Sequence, residues 1–244
     1  MNESTISIDY FLGAYWKARK ESIDECAERL LLFFAALSTC EEILSTWYEK
    51  GRSQKQAMQK RVDIRSRDYM LNLLERGRHR RDIPRTVIED LGFRIGVWNG
   101  ADKIEKEAGL SITCGSYNPN PNLGNAVVLN LPRELGDLCQ SKRMAAVLAS
   151  AATAWEPAWA GIMNHNTVGA RKFKGGGPFV DWMLYLSKNQ VPQVPSLPQP
   201  ANVQQVGKLG SIIVVQKEPP DPTNLEHLRN IEQVEAALKT CLPK

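Results

Sequence analysis

The 244-residue chain lacks any apolar run long enough to cross a membrane. Its longest candidate, residues 30–37, falls far short of the ~20 apolar residues that a transmembrane helix needs. The N-terminal stretch MNESTISIDYFLGAYW is polar and acidic, whereas a secretory signal is basic and then apolar. Both absences predict a soluble, cytoplasmic protein.

Motifs for metal binding and nucleophilic catalysis are also missing. The five cysteines (26, 40, 114, 139, 241) form no CxxC pair, which argues against disulfides or zinc and predicts buried free thiols. The histidines at 79, 165 and 227 have no partner at metal-ligand spacing. A hydrolase using Cys114 or Ser116 is the least favoured class, because no G-x-S-x-G motif or local base signature is present. We therefore predict no catalytic residue, metal or cofactor.

A glycine run at 175–177 follows the basic stretch 171–174 and invites comparison with a phosphate-binding loop. It lacks the G-x-x-x-x-G-K-[ST] pattern, and Pro178 and a predicted strand follow it in place of a helix. A flexible loop is the preferred interpretation.

Charge is small in total but unevenly distributed. The formal net charge is +4, yet segment 50–85 contains twelve lysines and arginines against four acidic residues. Such an excess indicates a surface that meets a charged partner, or a solvated helical face. Nucleic acid is one candidate partner. Against it, no stacking aromatics interleave the charges and no DNA-binding motif is present.

Three consecutive strands form the predicted centre of the fold, at 93–98, 110–117 and 125–131. They are rich in β-branched and aromatic residues, and turns containing Asn, Gly and Pro separate them. Their short connections favour antiparallel pairing. Other predicted strands lie at 6–16, 159–164, 179–186 and 211–216. Predicted helices are 22–39, which begins with a capping box at Ser22, and 41–50, 54–60, 66–76, 85–91, 141–155 and 224–238.

This order of elements predicts an α+β fold: a single domain over residues 1–244, with a mainly antiparallel mixed sheet flanked by helices. Residues 1–132 and 133–244 contain similar elements, which suggests pseudo-duplicated halves that share one core. No residue-level repeat accompanies this similarity.

Ordered sequence blocks along nearly the whole chain resemble the immunity protein 52 family. The blocks are GAYWKAR (13–19), WYEKG (47–51), RGR with RRD (76–82), VWNG (97–100), LSITCG (110–115), WEPAW (155–159), FVDWMLYLS (179–187) and GSII (210–213). None is a chemical motif in itself, so the specificity of the match lies in their number and order.

The resemblance implies an immunity protein, or antitoxin, of a bacterial polymorphic-toxin or type VI secretion system. Its expected partner is a cognate toxin with a restriction-endonuclease-like nuclease domain, inhibited by stoichiometric binding without turnover. The resemblance brings no catalytic residues or verified contact residues to this chain. The alternative function is a nucleic-acid-binding module that uses segment 50–85.

Candidate partner-binding residues come from the charged segments, the recognised blocks and the tryptophans. They are Arg78, Arg80, Arg81, Trp98, Asn99, Asp102, Glu105, Trp159 and Trp182. Tryptophan is enriched at interface hot spots, although ordinary core packing explains the same residues. In one docking mode, segment 50–85 meets acidic parts of the toxin, near carboxylates that would hold its catalytic metal. In the other, acidic residues cover a basic DNA groove; they lie in loop 102–107 or in the C-terminal set Glu218, Asp221, Glu226, Glu232 and Glu235.

Overall fold

The part of the chain that the structure describes forms a single antiparallel sheet of nine strands. The computed structural model describes residues 9–120, 122–171 and 177–242. The strands are β1 (Tyr10–Trp16), β2 (Tyr48–Glu49), β3 (Phe93–Trp98), β4 (Gly109–Cys114), β5 (Asn125–Asn130), β6 (Trp159–Asn164), β7 (Met183–Ser187), β8 (Asn202–Val206) and β9 (Gly210–Val214). Their order across the sheet is β2-β3-β4-β5-β1-β6-β7-β9-β8. The predicted α+β fold with an antiparallel sheet is confirmed.

Within the described residues, six α-helices accompany the sheet: α1 (Ile23–Cys40), α2 (Gln54–Ala57), α3 (Arg67–Arg76), α4 (Ser141–Trp155), α5 (His165–Ala170) and α6 (Leu225–Leu238). The capping box predicted at Ser22 is present, because its hydroxyl accepts from the Glu25 N–H and the Glu25 carboxylate accepts from the Ser22 N–H. In the described part of the chain, no helix is long and apolar enough to span a membrane.

The first face of the sheet is covered by helices along most of its width. Alternate residues of each strand point to the same side, and on this side nearly all of them are buried. Helices α1, α3 and α4 supply the opposing apolar layer, which includes Phe33, Phe34, Leu74, Leu148 and Trp155. This layer forms the larger of two hydrophobic cores.

The second face is covered over only part of its width in the described chain. Ile231, Val234 and Leu238 of α6 pack with residues of the segment 179–201 against β1, β6, β7 and β9. Strand β1 lies at the centre, between β5 and β6, so the sheet is continuous across the two predicted halves. The pseudo-duplication of those halves stays a hypothesis.

Two predicted helices are wrong. Residues 41–50 form a 3-10 turn at Glu42–Leu44 followed by β2, because Trp47 is buried and its indole N–H donates to the Leu44 carbonyl oxygen at 2.9 Å. Residues 85–91 are helical only at the 3-10 turn Glu89–Leu91, since the chain before it pairs with residues 79–81.

Other differences concern residues that the sequence pattern left as loops. Helix α5 lies inside the predicted loop 164–178, where the Asn164 side chain caps it. Strand β8 is polar and follows a proline-rich segment, so it shows no apolar alternation to detect. Residues 6–8 of the first predicted strand and 175–176 of the glycine run lie outside the described residues. All five cysteines are free thiols, but Cys139 is exposed and Cys241 half-buried, so only three have the predicted burial.

Candidate partner-binding surface

The basic segment ends in a protruding loop, residues 79–88, which we call the basic loop. The Ile88 N–H donates to the His79 carbonyl oxygen at 2.8 Å, and the Arg81 N–H donates to that of Thr86 at 2.9 Å. A bridge between Arg80 and Val87 completes this short antiparallel pairing. All six residues of the tip, 81–86, are solvent-exposed.

The tip combines unpaired positive charge with an exposed apolar side chain. Ile83 is 90% exposed, the largest exposed fraction among the large apolar residues described. Arg81 and Arg85 form no ion pair with any described residue. Together with Arg80 and Asp82 they line an open depression of about 410 Å³. Arginine beside an exposed apolar residue is typical of protein interfaces.

The other two predicted arginines have partners within the chain. Arg78 pairs with Glu75 at 2.6 Å and lies over the Phe93 ring at 5.0 Å. Arg80 reaches the same Glu75 carboxylate at 3.4 Å. Arg81 is therefore the only one of the three predicted arginines without an ion pair in the described chain. Sequence reasoning missed Arg85 and Ile83, although an isoleucine inside a run of charged residues is a usable signal.

A second candidate loop, residues 100–107, carries Asp102 and Glu105, both exposed. Asn99 holds this loop in place: its amide nitrogen donates to the Lys106 carbonyl oxygen at 2.9 Å, and its amide oxygen accepts from the Ala108 N–H at 2.9 Å. Asn99, the residue before the loop, thus ties the two ends of the loop together. Ile104 on the same loop is 62% exposed.

Strand β3 separates these two loops. Arg78 bridges to Phe93 at the start of β3, and Asn99 follows its last residue, Trp98. A six-residue strand spans roughly 20 Å. The structure therefore places the predicted basic and acidic contact residues at opposite ends of one strand and does not bring them together.

The candidate tryptophans divide by burial. Trp182 has no exposed surface, and its indole N–H donates to the Gln216 carbonyl oxygen at 3.2 Å. Trp159 is 7% exposed and packs against Tyr15, with ring centroids 4.7 Å apart. Core packing therefore accounts for both, and neither presents a side chain to a partner. Trp98 is partly exposed and lies beside Tyr48.

Trp98 belongs to a part of the second sheet face that we call the open face. This surface consists of the outward residues of β3, β4 and β5: Arg94, Gly96, Trp98, Gly109, Ser111, Thr113, Ala126, Val128 and Asn130. Each is partly or fully exposed, whereas the alternate residues of the same strands are buried. Among the described residues, no helix contributes to a core on this part of the sheet.

The residues considered for hydrolytic chemistry have structural roles instead. Cys114 is buried, and its contact with Cys26, together with burial, raises the pKa of its thiol. The Ser116 hydroxyl is buried and donates to the carbonyl oxygens of Asp90 (3.2 Å) and Leu123 (3.0 Å). A protonated thiol and an inward hydroxyl are poor nucleophiles. The described residues contain no cluster of three or more His, Cys, Asp or Glu that could hold a metal.

The strongest perturbation of a carboxyl group lies in the interior. Burial raises the pKa of Asp181 to about 7, an effect that hydrogen bonds from the Asn164 and Trp182 N–H groups and the charge of Arg171 partly oppose. Asp181 has no exposed surface, so a substrate has no route to its carboxyl group in this conformation. The perturbed group therefore belongs to the packing of the second half.

The chain belongs to the immunity protein 52 family, whose model matches residues 9–242, so the resemblance seen in the sequence is confirmed. Family membership implies an immunity protein with a non-enzymatic role.

Among solved structures, the chain is similar to the T6SS protein PA0821 of Pseudomonas aeruginosa, with a TM-score of 0.57 and 12% identity. The alignment covers 96% of this chain and 73% of that one. At this identity the likeness shows a shared fold. No curated protein is similar in sequence.

Proposed function

We propose that the protein neutralises a cognate nuclease toxin of a type VI or polymorphic-toxin system by stoichiometric binding. Membership in the immunity protein 52 family supports the immunity role. A restriction-endonuclease-like toxin domain is the expectation attached to that family resemblance. Because such a toxin would attack cytoplasmic DNA, we place the encounter in the cytoplasm.

The basic loop is the observation that carries this proposal. Its tip presents Arg81 and Arg85 around the exposed Ile83, and neither arginine is neutralised by a described residue. Nuclease sites that hold a divalent metal use carboxylates, so the rim of such a site is acidic. Arginines that approach this rim would speed association and form charge-assisted hydrogen bonds on docking.

The test uses the cognate toxin domain, which is first sought in the reading frames next to this gene. Association rates of the wild type and of an Arg81→Glu/Arg85→Glu variant are measured at low and high salt. We expect the variant to associate at least tenfold more slowly at low salt and to show a weaker salt dependence. A Lys208→Glu/Lys217→Glu variant is the control, because it makes the same charge change at exposed positions in the other half of the chain.

Rescue of cells that express the toxin domain is the second readout. Wild-type protein should restore growth, and it should form a complex of fixed stoichiometry with the toxin domain. Absence of both rescue and binding would overturn the immunity function. Rescue with an unchanged association rate for the double arginine variant would retain the function but reject the basic loop as its docking element.

Nucleic-acid binding by segment 50–85 is the second candidate function. Four of the twelve cations in this segment, Arg67, Arg76, Arg78 and Arg80, pair with acidic residues. The others make no ion pair with a described residue and keep their charge available for phosphates. A log-linear fall of DNA affinity with salt would favour this function. Undetectable binding of duplex and single-stranded DNA at low salt would reject it.

A further inference from the structure

We infer that the open face is the docking site for one acidic, amphipathic helix of the toxin. This inference rests on the proposed function and adds to it the face that is used and the chemistry of the occupant. The open face is distinct from the tip of the basic loop and lies on strands β3, β4 and β5.

One layer of the fold is incomplete in the described chain. On the same face of the sheet, α6 and the segment 179–201 cover β1, β6, β7 and β9 with buried apolar contacts. The rings of Tyr15 and Trp159 pack at the border in a tilted arrangement, and Val128 packs partly against this covered part. Beyond Val128 the described chain supplies no further helix. A partner helix would continue the layer and complete the burial of this face.

Several side chains in the centre of the open face are small. Pairing across the strands places Gly96 opposite Ser111 and Trp98 opposite Gly109, while Thr113 lies opposite Ala126. Side chains this short allow a helix to approach the backbone of the sheet closely.

The edge next to β2 contains residue types that are common in protein interfaces. Tyr48 pairs with Trp98 on one side and bridges to Arg61 on the other, so Tyr48 and Arg61 extend the open face beyond β3. The side chain of Met58 lies near Gly100 beside the Tyr48 ring. Tryptophan, tyrosine, methionine and arginine are the residue types enriched at protein interfaces. An apolar ridge of a partner helix therefore has a specific place to pack.

The charge of the open face indicates the charge of the partner's contact surface. Arg94 and Arg61 are exposed on the open face and make no ion pair with described residues. The methylenes of Lys50 lie within 4.0 Å of the point where a Cβ of Gly96 would be. Arg94 on the open face and Arg61 and Lys50 at its β2 edge make three cations, and none of the outward strand residues is acidic. The matching helix presents carboxylates on the flanks of its apolar ridge.

The area of the open face indicates that a single helix, and not a larger surface of the partner, binds there. The segment at Arg61 and strands β2 to β5 lie side by side, which gives a width of about 20 Å, and a six-residue strand is about 20 Å long. This area, roughly 400 Å², is half of the ~800 Å² that each partner buries in a standard interface. It accommodates one helix of about 13 residues. The remaining contact area must come from surfaces next to the open face, and the basic loop is one of them.

The test is a substitution that places a long charged side chain in the centre of the open face. Ser111→Arg should weaken binding of the toxin domain at least 100-fold in calorimetry, because the arginine blocks close approach. Gln204→Arg is the matched control: it lies on β8, is exposed and should change the dissociation constant less than threefold. Lys50→Glu/Arg61→Glu should weaken binding at least tenfold. Both residues are exposed, so this double variant keeps the test decisive if Ser111→Arg unfolds.

The outcomes separate this inference from the proposed function. If the wild type binds the toxin domain and folded Ser111→Arg binds within threefold of it, the open face is not the docking site although the immunity function stands. If the wild type does not bind, the immunity function fails. A dimer of the protein alone that Ser111→Arg dissociates would assign the face to a second copy and overturn the inference. A structure of the complex with a loop or strand on the face would reject the helix.

Discussion

The backbone N–H of Asn164 donates a hydrogen bond of 2.8 Å to the carboxylate of Asp181, and neither residue has any exposed surface. Burial raises the pKa of Asp181 from its ordinary value of 3.8 to about 7. Between these pH values the folded protein binds more protons than the unfolded chain, so the free energy of unfolding decreases as pH rises through this window. Above about pH 7 the penalty for the buried charge is complete.

Asp181→Asn removes this titration while retaining an acceptor for the Asn164 N–H. We therefore expect the variant to lose part of the decline in melting temperature between about pH 4 and pH 7. Thermal unfolding in buffers across this range is the measurement. Asp102→Asn, at an exposed position, should follow the wild-type profile. If the profiles of Asp181→Asn and the wild type are parallel, the carboxyl group of Asp181 is not the one that titrates.

Gly92 occupies a position that no larger residue fits. Its φ of +63° lies in the left-handed region, and a Cβ there would collide with the carbonyl oxygen of Cys114. A positive φ costs an L-residue roughly 1–2 kcal/mol, and overpacking adds about 1–3 kcal/mol. Gly92→Ala should therefore lower the free energy of unfolding by about 2–5 kcal/mol in urea denaturation.

A substitution at Gly136 separates the cost of the positive φ from the cost of the collision. Its φ is +52°, but a Cβ there would meet no atom within 4 Å. Gly136→Ala should cost only the backbone contribution of roughly 1–2 kcal/mol. Equal losses in the two variants would contradict the collision at Gly92 and leave backbone strain as the whole effect.

Asn99 joins the end of β3 to loop 100–107 through the carbonyl oxygen of Lys106 and the N–H of Ala108. Asn99→Ala should lower the free energy of unfolding by roughly 1–3 kcal/mol, because the polar backbone groups lose their partners. It should also speed hydrogen exchange of the Ala108 amide. Asn130→Ala is the control, since its exposed side chain makes no hydrogen bond with the described residues. Unchanged exchange at Ala108 would show that the loop holds its shape without Asn99.

Local patterns were sufficient to predict most elements of the fold. Strands β3 and β6 and helix α4 have the predicted bounds, because their apolar spacing and their turn residues agree with the tertiary structure. The helical spacing at 41–50 was misleading: pairing of Tyr48 with Trp98 and burial of Trp47 override it. Strand β8 carries no apolar pattern, so its position depends on pairing with β9, which sequence alone does not reveal.

The candidate surface was less predictable than the fold. The uneven distribution of charge located the basic segment. It did not show which arginines lack an ion-pair partner, since the pairing of Arg78 and Arg80 with Glu75 depends on loop geometry. The enrichment of tryptophan at interfaces led to the prediction of Trp182, but this residue is buried. Residue type alone does not distinguish an interface hot spot from a core residue. The open face is visible only once the strand order is known, as its residues come from three strands and β2.

A substitution at Ile83 tests binding by the basic loop with little effect on the stability of the fold. Its side chain is 90% exposed, so Ile83→Ser should change the free energy of unfolding by less than about 0.5 kcal/mol. If the loop docks on the toxin, burial of this side chain contributes about 1.5–3 kcal/mol to binding, and the variant should bind roughly 10- to 100-fold more weakly.

The matched control for Ile83 is Leu225→Ser, at the first residue of α6. Leu225 is 78% exposed, so this substitution removes a similar exposed apolar side chain far along the chain from the basic loop. Calorimetric titration of the toxin domain into each variant gives the dissociation constants, and thermal unfolding checks the fold. Equal affinities for Ile83→Ser and Leu225→Ser would show that the exposed isoleucine has no role in docking. A loss confined to Ile83→Ser would locate the contact at the tip of the basic loop, because both variants lose comparable apolar surface.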